Sequence, residues 1–185
     1  LFRSKGTMDE YQQALEQAGM TTFVVGYSAV LERPEICDVL ALLHVVVQHD
    51  DAEHLMRLLA TPRFQLSSSD LTRLAALADR ENTRVRFRAL AEAGVADADC
   101  PPEQWESVVR EHRDQVGNAV FLGDLLQRGD LRQLLDRDGT LGDSAKAGVL
   151  RAGAMLRDVQ AMLGHPLAEV IRAAVRALDL DIDTV

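Results

Sequence analysis

No stretch of this 185-residue chain approaches the roughly 20 consecutive apolar residues that a membrane span requires. The densest apolar segment, Val39 to Val47, is interrupted by His44. A charged-then-apolar leader segment is also missing, so the cytoplasm is the expected compartment and no membrane is an expected partner. Cysteine is scarce. Cys37 and Cys100 lie far apart, with no CxxC pair and no Cys/His spacing of a zinc module. Two free thiols in a reducing cell is the expectation. The chain contains no Walker A phosphate loop, no GxGxxG turn, no HExxH helix and no GxSxG elbow, so it announces no self-sufficient active site. Basic residues are in deficit as well: 20 Lys and Arg against 29 Asp and Glu give a net charge of −9. Phosphate contacts dominate nucleic-acid affinity, so this charge argues against a freestanding nucleic-acid binder. It argues less against a piece of a larger machine whose DNA channel is shared.

What is present is ordinary for a folded protein. Apolar residues make up 47% and charged residues 26%, enough for a real core in one or two small domains. The chain opens on Leu1 rather than Met, directly onto an apolar-basic run, as expected of an internal piece of a longer protein.

Leu1-Phe2-Arg3-Ser4 reads as the end of a strand. Thr7 and Glu10 fit a capping box that starts a helix over about 8–18, and Gly19 ends it. Thr21 to Val25 is a β-branched and aromatic run suited to a buried strand. Residues 1–26 therefore read strand end, helix, strand: a βαβ-like unit. Pro34 then opens a helix whose stripe is Ile36, Val39, Leu40, Leu43 and Val47. A further helix starts at Asp50-Asp51 and stops at Thr61-Pro62. From Ser67 onward only helices are expected, over roughly 69–79, 82–93, 103–116, 118–128, 130–137, 144–163 and 166–178. The expected fold class is mainly α: a partial RecA-like α/β segment over 1–66, followed by an all-α helical insertion over 67–185. No repeat and no low-complexity tract interrupts it.

Five histidines are scattered along the chain. His44 sits near the apolar face of its helix and is read as a core or boundary residue. His49 and His54, with Asp50, Asp51 and Glu53 nearby, invite a metal reading, but a solvated charged turn explains them more simply. Arg80, Arg84, Arg86 and Arg88 form a basic segment in which Arg84 and Arg88 share a helical face. A solvated face is the simpler reading, and contact with nucleic acid or another domain the sharper one. Trp105, spaced helically with Val108, Val109 and His112, is expected in the core.

Four ordered segments carry a resemblance. Leu1-Phe2-Arg3-Ser4 resembles motif IV of UvrD/PcrA/Rep-like superfamily 1 helicases, an aromatic-Arg-Ser/Thr step ending a strand of motor domain 2A. The helix with "ALEQAG" leads to "TTFVVG", then to "LERPEICDVLALLHVV", which is similar to motif IVa. "DDAEHLMRLLATPRFQLS" is similar to the family segment that enters domain 2B. The match runs in order over residues 1–70; residues 71–185 agree only in being a helical insertion at the right place. The close "VIRAAVRALDLDI" resembles actinobacterial members, including AdnB-like helicase-nuclease subunits.

The resemblance implies an ATP-dependent 3′–5′ DNA helicase or translocase in repair or recombination. It implies ATP and Mg2+ bound elsewhere in the whole protein, with no cofactor and no ATPase activity in this piece. It implies single-stranded and duplex DNA as partners, with a repair protein as a further one. Arg3 matches the arginine that reaches the γ-phosphate, and a fixed guanidinium suits charge that builds on phosphate oxygens. Phe2 matches the tyrosine that stacks on adenine, keeping the ring without the hydroxyl. Arg33, with Glu35 and Asp38, matches the polar positions of motif IVa; Arg33 is expected either to pair with one of those carboxylates or to contact a phosphate. Arg63 falls where the family places a basic residue near single-stranded DNA. Two departures accompany it: Ala60 replaces an asparagine of the strand-binding surface, and Gln65-Leu66-Ser67 replaces a Gly-Ile-Gly turn that approaches duplex phosphates. Ser67 to Ser69 still offer hydroxyls to a phosphate, or cap the next helix. Two other readings remain: a helical module that binds a partner protein or regulates the motor, and the helicase subunit of a helicase-nuclease pair.

Overall fold

The computed structural model describes residues 8–22 and 30–180, and among these it is helical, with no strand. The contacts divide the chain into two compact units, Leu1–Cys37 and Asp38–Val185. Leu1 to Ser4, Thr7 and most of the expected strand at 21–25 lie outside the described residues, so the RecA-like α/β reading finds no described strand; Thr21 and Thr22 lie in irregular structure.

In the first unit, α1 spans Met8–Gln17. Gly19 takes a positive φ of 76° just past its end, where a residue without Cβ adopts the left-handed conformation freely. Gln12 and Thr22 both donate to the Glu16 carboxylate, at 2.8 and 2.9 Å. Tyr11 and Leu15, placed at helical spacing, are exposed.

α2 spans Pro34–Val47 and starts on its proline, whose fixed φ and missing N–H suit the first helical turn. α3, Ala52–Leu59, follows after a short turn. The main core of the second unit gathers Leu42 and Val45 of α2, Leu55, Leu58 and Leu59 of α3, and Phe64 of the 3-10 turn Pro62–Phe64. Leu74 of α4 (Ser68–Glu92), Leu125 and Leu126 of α6 (Leu122–Gln127), and Leu131 and Leu135 of α7 (Leu131–Asp138) complete one side. α8 (Asp143–Gln160) lies at the centre, touching the 3-10 turn, α6, α7 and α9 (Leu167–Ala177).

Small residues explain how α8 reaches so many neighbours. A Cβ at Gly148 would sit 2.0 Å from the Phe64 carbonyl oxygen, and one at Gly153 would sit 2.2 Å from the Leu126 carbonyl oxygen. The two glycines therefore let the 3-10 turn and the end of α6 seat directly on the helix backbone. Arg157, one turn on, donates to the same Leu126 carbonyl at 3.2 Å.

Several expectations need correction. The buried face of α2 is Val39, Ala41, Leu42, Val45 and Val46, while Leu40 and Val47, expected in its stripe, are exposed. Helices 69–79 and 82–93 are one continuous α4 of 25 residues. Arg80 and Glu81 contain no glycine or proline to break it, and Glu81 is buried and held by arginines on both sides. The expected helix 103–116 is a 3-10 turn, Pro102–Gln104, plus α5, Trp105–Glu111. Trp105 stacks on Phe87 of α4 with ring centroids 4.9 Å apart and donates its indole N–H to the Cys100 carbonyl at 3.0 Å. Phe87, Leu90 and Val109 form a second, smaller core there.

Candidate functional site

The segment 61–70 is where the chain changes direction between α3 and α4. Thr61 is extended, Pro62 starts the 3-10 turn, and Gln65 adopts a left-handed conformation at φ 54°. A glycine would reach that conformation without steric cost. Here a glutamine does.

Arg63 lies on this turn, and its guanidinium is engaged within the protein. It donates to the Ala177 carbonyl at 2.5 Å and pairs with the Asp179 carboxylate. Ala177 is the last residue of α9, so a cation at its carbonyl complements both hydrogen bonding and the helix dipole. Arg151 of α8 donates in turn to the Arg63 carbonyl at 3.4 Å.

Ser67 is the N-cap of α4. Its hydroxyl accepts from the Asp70 N–H at 3.2 Å, and the Asp70 carboxylate accepts from the Ser67 N–H at 3.0 Å, a reciprocal capping box. The hydroxyl also donates to Asp70 at 2.6 Å. The Ser67 hydrogen bonds hold the Asp70 carboxyl below the usual aspartate range, so a negative charge already occupies this helix end.

Arg33 is exposed and forms no ion pair with a described residue, while Asp38 is taken by Arg57 at 2.9 Å. Phe2 and Arg3 lie outside the described residues.

The basic segment of α4 borders a cleft of about 900 Å3 between α4, α5 and α7. Arg80, Arg84, Arg86 and Arg137 line it, with Asn82 and Trp105. Its charges are largely matched. Arg80 pairs with Asp138, Arg84 bonds Glu81 at 2.7 Å, and Arg86 donates to the Val116 carbonyl at 2.9 Å. Arg128 reaches Glu81 at 2.8 Å from the far side and grips Asp130 through two bonds of 2.8 and 2.7 Å. Burial pushes the Glu81 carboxyl up, but hydrogen bonds from Arg84 and Arg128 outweigh it and leave the group below the ordinary glutamate value. Asn82 holds the neighbouring loop by accepting from the Ala119 and Val120 N–H groups at 2.9 and 3.2 Å.

The sequence reading missed one cluster. His44 is exposed, not core, because it lies on the opposite side of α2 from Leu42, Val45 and Val46. It stacks on His54, ring centroids 4.5 Å apart, with Asp51 beside both. The legible signal was Asp51 followed three residues later by His54, a cap-and-first-turn spacing; His49 instead meets Phe121 edge-on at 5.5 Å.

Residues 1–93 match the UvrD-like helicase C-terminal domain family. Over 82 residues, 44% of this chain, the sequence is 32% identical to a protein of Leuconostoc citreum named ATP-dependent DNA helicase PcrA. The chain spans 11% of that curated relative's length. No solved structure matches it. With the family model covering half of its length, the chain belongs to the UvrD-like helicase C-terminal domain family.

Proposed function

We propose that this chain is part of an ATP-dependent 3′–5′ DNA helicase or translocase acting in repair or recombination, covering part of motor domain 2A over 1–66 and a helical 2B-like insertion over 67–185. The observation that carries the reading is the family match over residues 1–93, together with a relative whose name is that of an ATP-dependent DNA helicase. The boundary near residue 66 rests on the resemblance, since the contacts divide the chain at Cys37 and one core joins residues on both sides of residue 66.

On this reading the first 66 residues hold the partial RecA-like fold, and Arg3 acts on the γ-phosphate while Phe2 stacks on adenine. ATP and Mg2+ belong to the whole protein. The 185 residues contain neither a phosphate loop nor a Walker B acid, so the chain alone does not hydrolyse ATP. Arg33, exposed and without an ion pair among the described residues, is the best placed of the three DNA-contacting candidates. Arg63 meets single-stranded DNA only by exchanging Asp179 for a phosphate, and Ser67 meets a phosphate only where Asp70 yields. The work is cytoplasmic.

A second reading is a helical module that docks a repair protein or regulates the motor. The matched charges of the α4 cleft and the net charge of −9 favour it. A variant of the first makes the whole protein an AdnB-like helicase subunit of a helicase-nuclease. Unwinding assays with the whole protein separate these readings. The helicase reading expects unwinding of a duplex with a 3′ tail and not of one with a 5′ tail. No unwinding of either substrate, with tight capture of a repair protein, would replace it with the module reading.

A further inference from the structure

We propose that His44, Asp51 and His54 form a binding site for a divalent transition-metal ion of the zinc type. Their ligand atoms all lie within 4.8 Å of one another. The three residues come from one helix-turn-helix: the last turn of α2, the N-cap of α3 and the first turn of α3.

The cap fixes the carboxylate. One Asp51 oxygen accepts from the His54 backbone N–H at 3.1 Å, which leaves the other free to face both rings. That oxygen is 2.7 Å from His54 Nδ1 and 3.8 Å from His44 Nδ1. Around a zinc ion with bonds of about 2.0–2.1 Å, tetrahedral neighbours are separated by roughly 3.3 Å, a spacing the two observed distances bracket. The backbone hydrogen bond to His54 helps hold the Asp51 carboxyl below the ordinary aspartate value, so the acid is ionised at neutral pH.

The burial gradient fits an ion held at the surface. The Asp51 side chain is 15% exposed, His54 35% and His44 53%. The innermost ligand is thus the anchored one, and the outermost ring has room to rotate its lone pair toward the ion. The rings stack within 11° of parallel, and both Nδ1 atoms lie on the side of the Asp51 carboxylate. Where His54 Nδ1 carries the hydrogen of its bond to Asp51, binding moves that proton to Nε2 by exchange with solvent, and the ion takes its place. Water fills the outward coordination position.

Two imidazoles and one carboxylate select zinc, nickel or copper over magnesium and calcium, which prefer all-oxygen sets. The site is therefore distinct from the Mg2+ that accompanies ATP. It stands whether or not the helicase reading holds.

The test is zinc titration of tag-free chain by calorimetry, with circular dichroism to confirm folding. The wild type is expected to take up one equivalent and to gain thermal stability. His44→Gln and His54→Gln should each weaken uptake by about tenfold or more, and Asp51→Asn, which keeps the cap oxygen, should do likewise. His49→Gln should leave uptake unchanged. Free thiols also bind zinc, so a Cys37→Ser/Cys100→Ser variant is expected to retain the same uptake. No saturable uptake by the wild type, uptake untouched in a folded His44→Gln/His54→Gln variant, or uptake lost with the thiols would overturn the proposal.

Discussion

Arg63 and Asp179 stand 116 residues apart in sequence and pair directly, tying the 3-10 turn after α3 to the end of α9. Within the second unit, the pair joins the turn between α3 and α4 to the residues that follow α9. With the Ala177 carbonyl as a second acceptor, the Arg63 guanidinium closes this unit end to end.

Arg63→Ala should destabilise the chain by about 1–3 kcal/mol, since it removes a charged donor from the Ala177 carbonyl at the end of α9. Asp179→Ala, on a more exposed partner, should cost no more than about 1 kcal/mol. Chemical denaturation of both single variants and the double variant gives the coupling. Equal costs at the two positions would show that the carboxylate, not the helix end, is the main anchor.

Gly148→Ala and Gly153→Ala should each cost about 1–3 kcal/mol or more, because a methyl group would overlap a carbonyl oxygen that cannot move without shifting its helix or turn. Gly117→Ala, where nothing lies within 4 Å, should stay within about 0.5 kcal/mol of wild type. Thermal denaturation compares the three. Unchanged midpoints at 148 and 153 would contradict the close seating of the 3-10 turn and α6 on α8.

The ends of α2 and α3 were legible in advance, but the buried face of α2 was not. Pro34, Asp51 and the Thr61-Pro62 step fix helix ends through backbone chemistry local to each residue, and α2 and α3 fall where those signals put them. The continuity of α4 was not legible, because a charged Arg80-Glu81 step resembles a solvated break. Only the distant Arg128 shows that Glu81 is buried inside one helix. His44 was misplaced for the same reason. Its neighbours in the chain are apolar, while its neighbours in space, Asp51 and His54, arrive from the next helix. Arg63 was legible as a basic residue at a turn, but its partners Ala177 and Asp179 lie too far along the chain for spacing to suggest, whereas the partner of Ser67, Asp70, is local and the capping role was one of the two expected for it.

Glu81→Gln should lower stability at neutral pH by about 1–3 kcal/mol, since the half-buried Arg84 and Arg128 lose the buried anion they share. The folded-state pKa of Glu81 is depressed, so its contribution is present above the unfolded value and lost as pH falls through the folded one. The window therefore lies below about pH 4.3. Wild type should lose stability more steeply than Glu81→Gln in that window. Parallel acid-unfolding curves would mean that Glu81 titrates alike in both states.

The chain alone should bind duplex DNA weakly and only at low salt. Its net charge of −9 repels phosphate on average, and local arginines act over about 10 Å at 0.1 M salt. Anisotropy titration of a hairpin with a 3′ tail at two salt concentrations measures this. Submicromolar affinity that survives about 200 mM salt would reveal a preformed duplex site in the chain.

The most direct test of the helicase reading is the ATP turnover of the whole protein with single-stranded DNA, comparing wild type with Arg3→Ala. Wild type should hydrolyse ATP in a DNA-stimulated manner. The variant should lose roughly 10³ to 10⁵-fold in turnover while keeping its DNA affinity, as arginines acting on transition-state charge do. DNA-stimulated turnover unchanged by Arg3→Ala would contradict the role given to Arg3, and a whole protein without DNA-stimulated turnover would contradict the helicase reading itself.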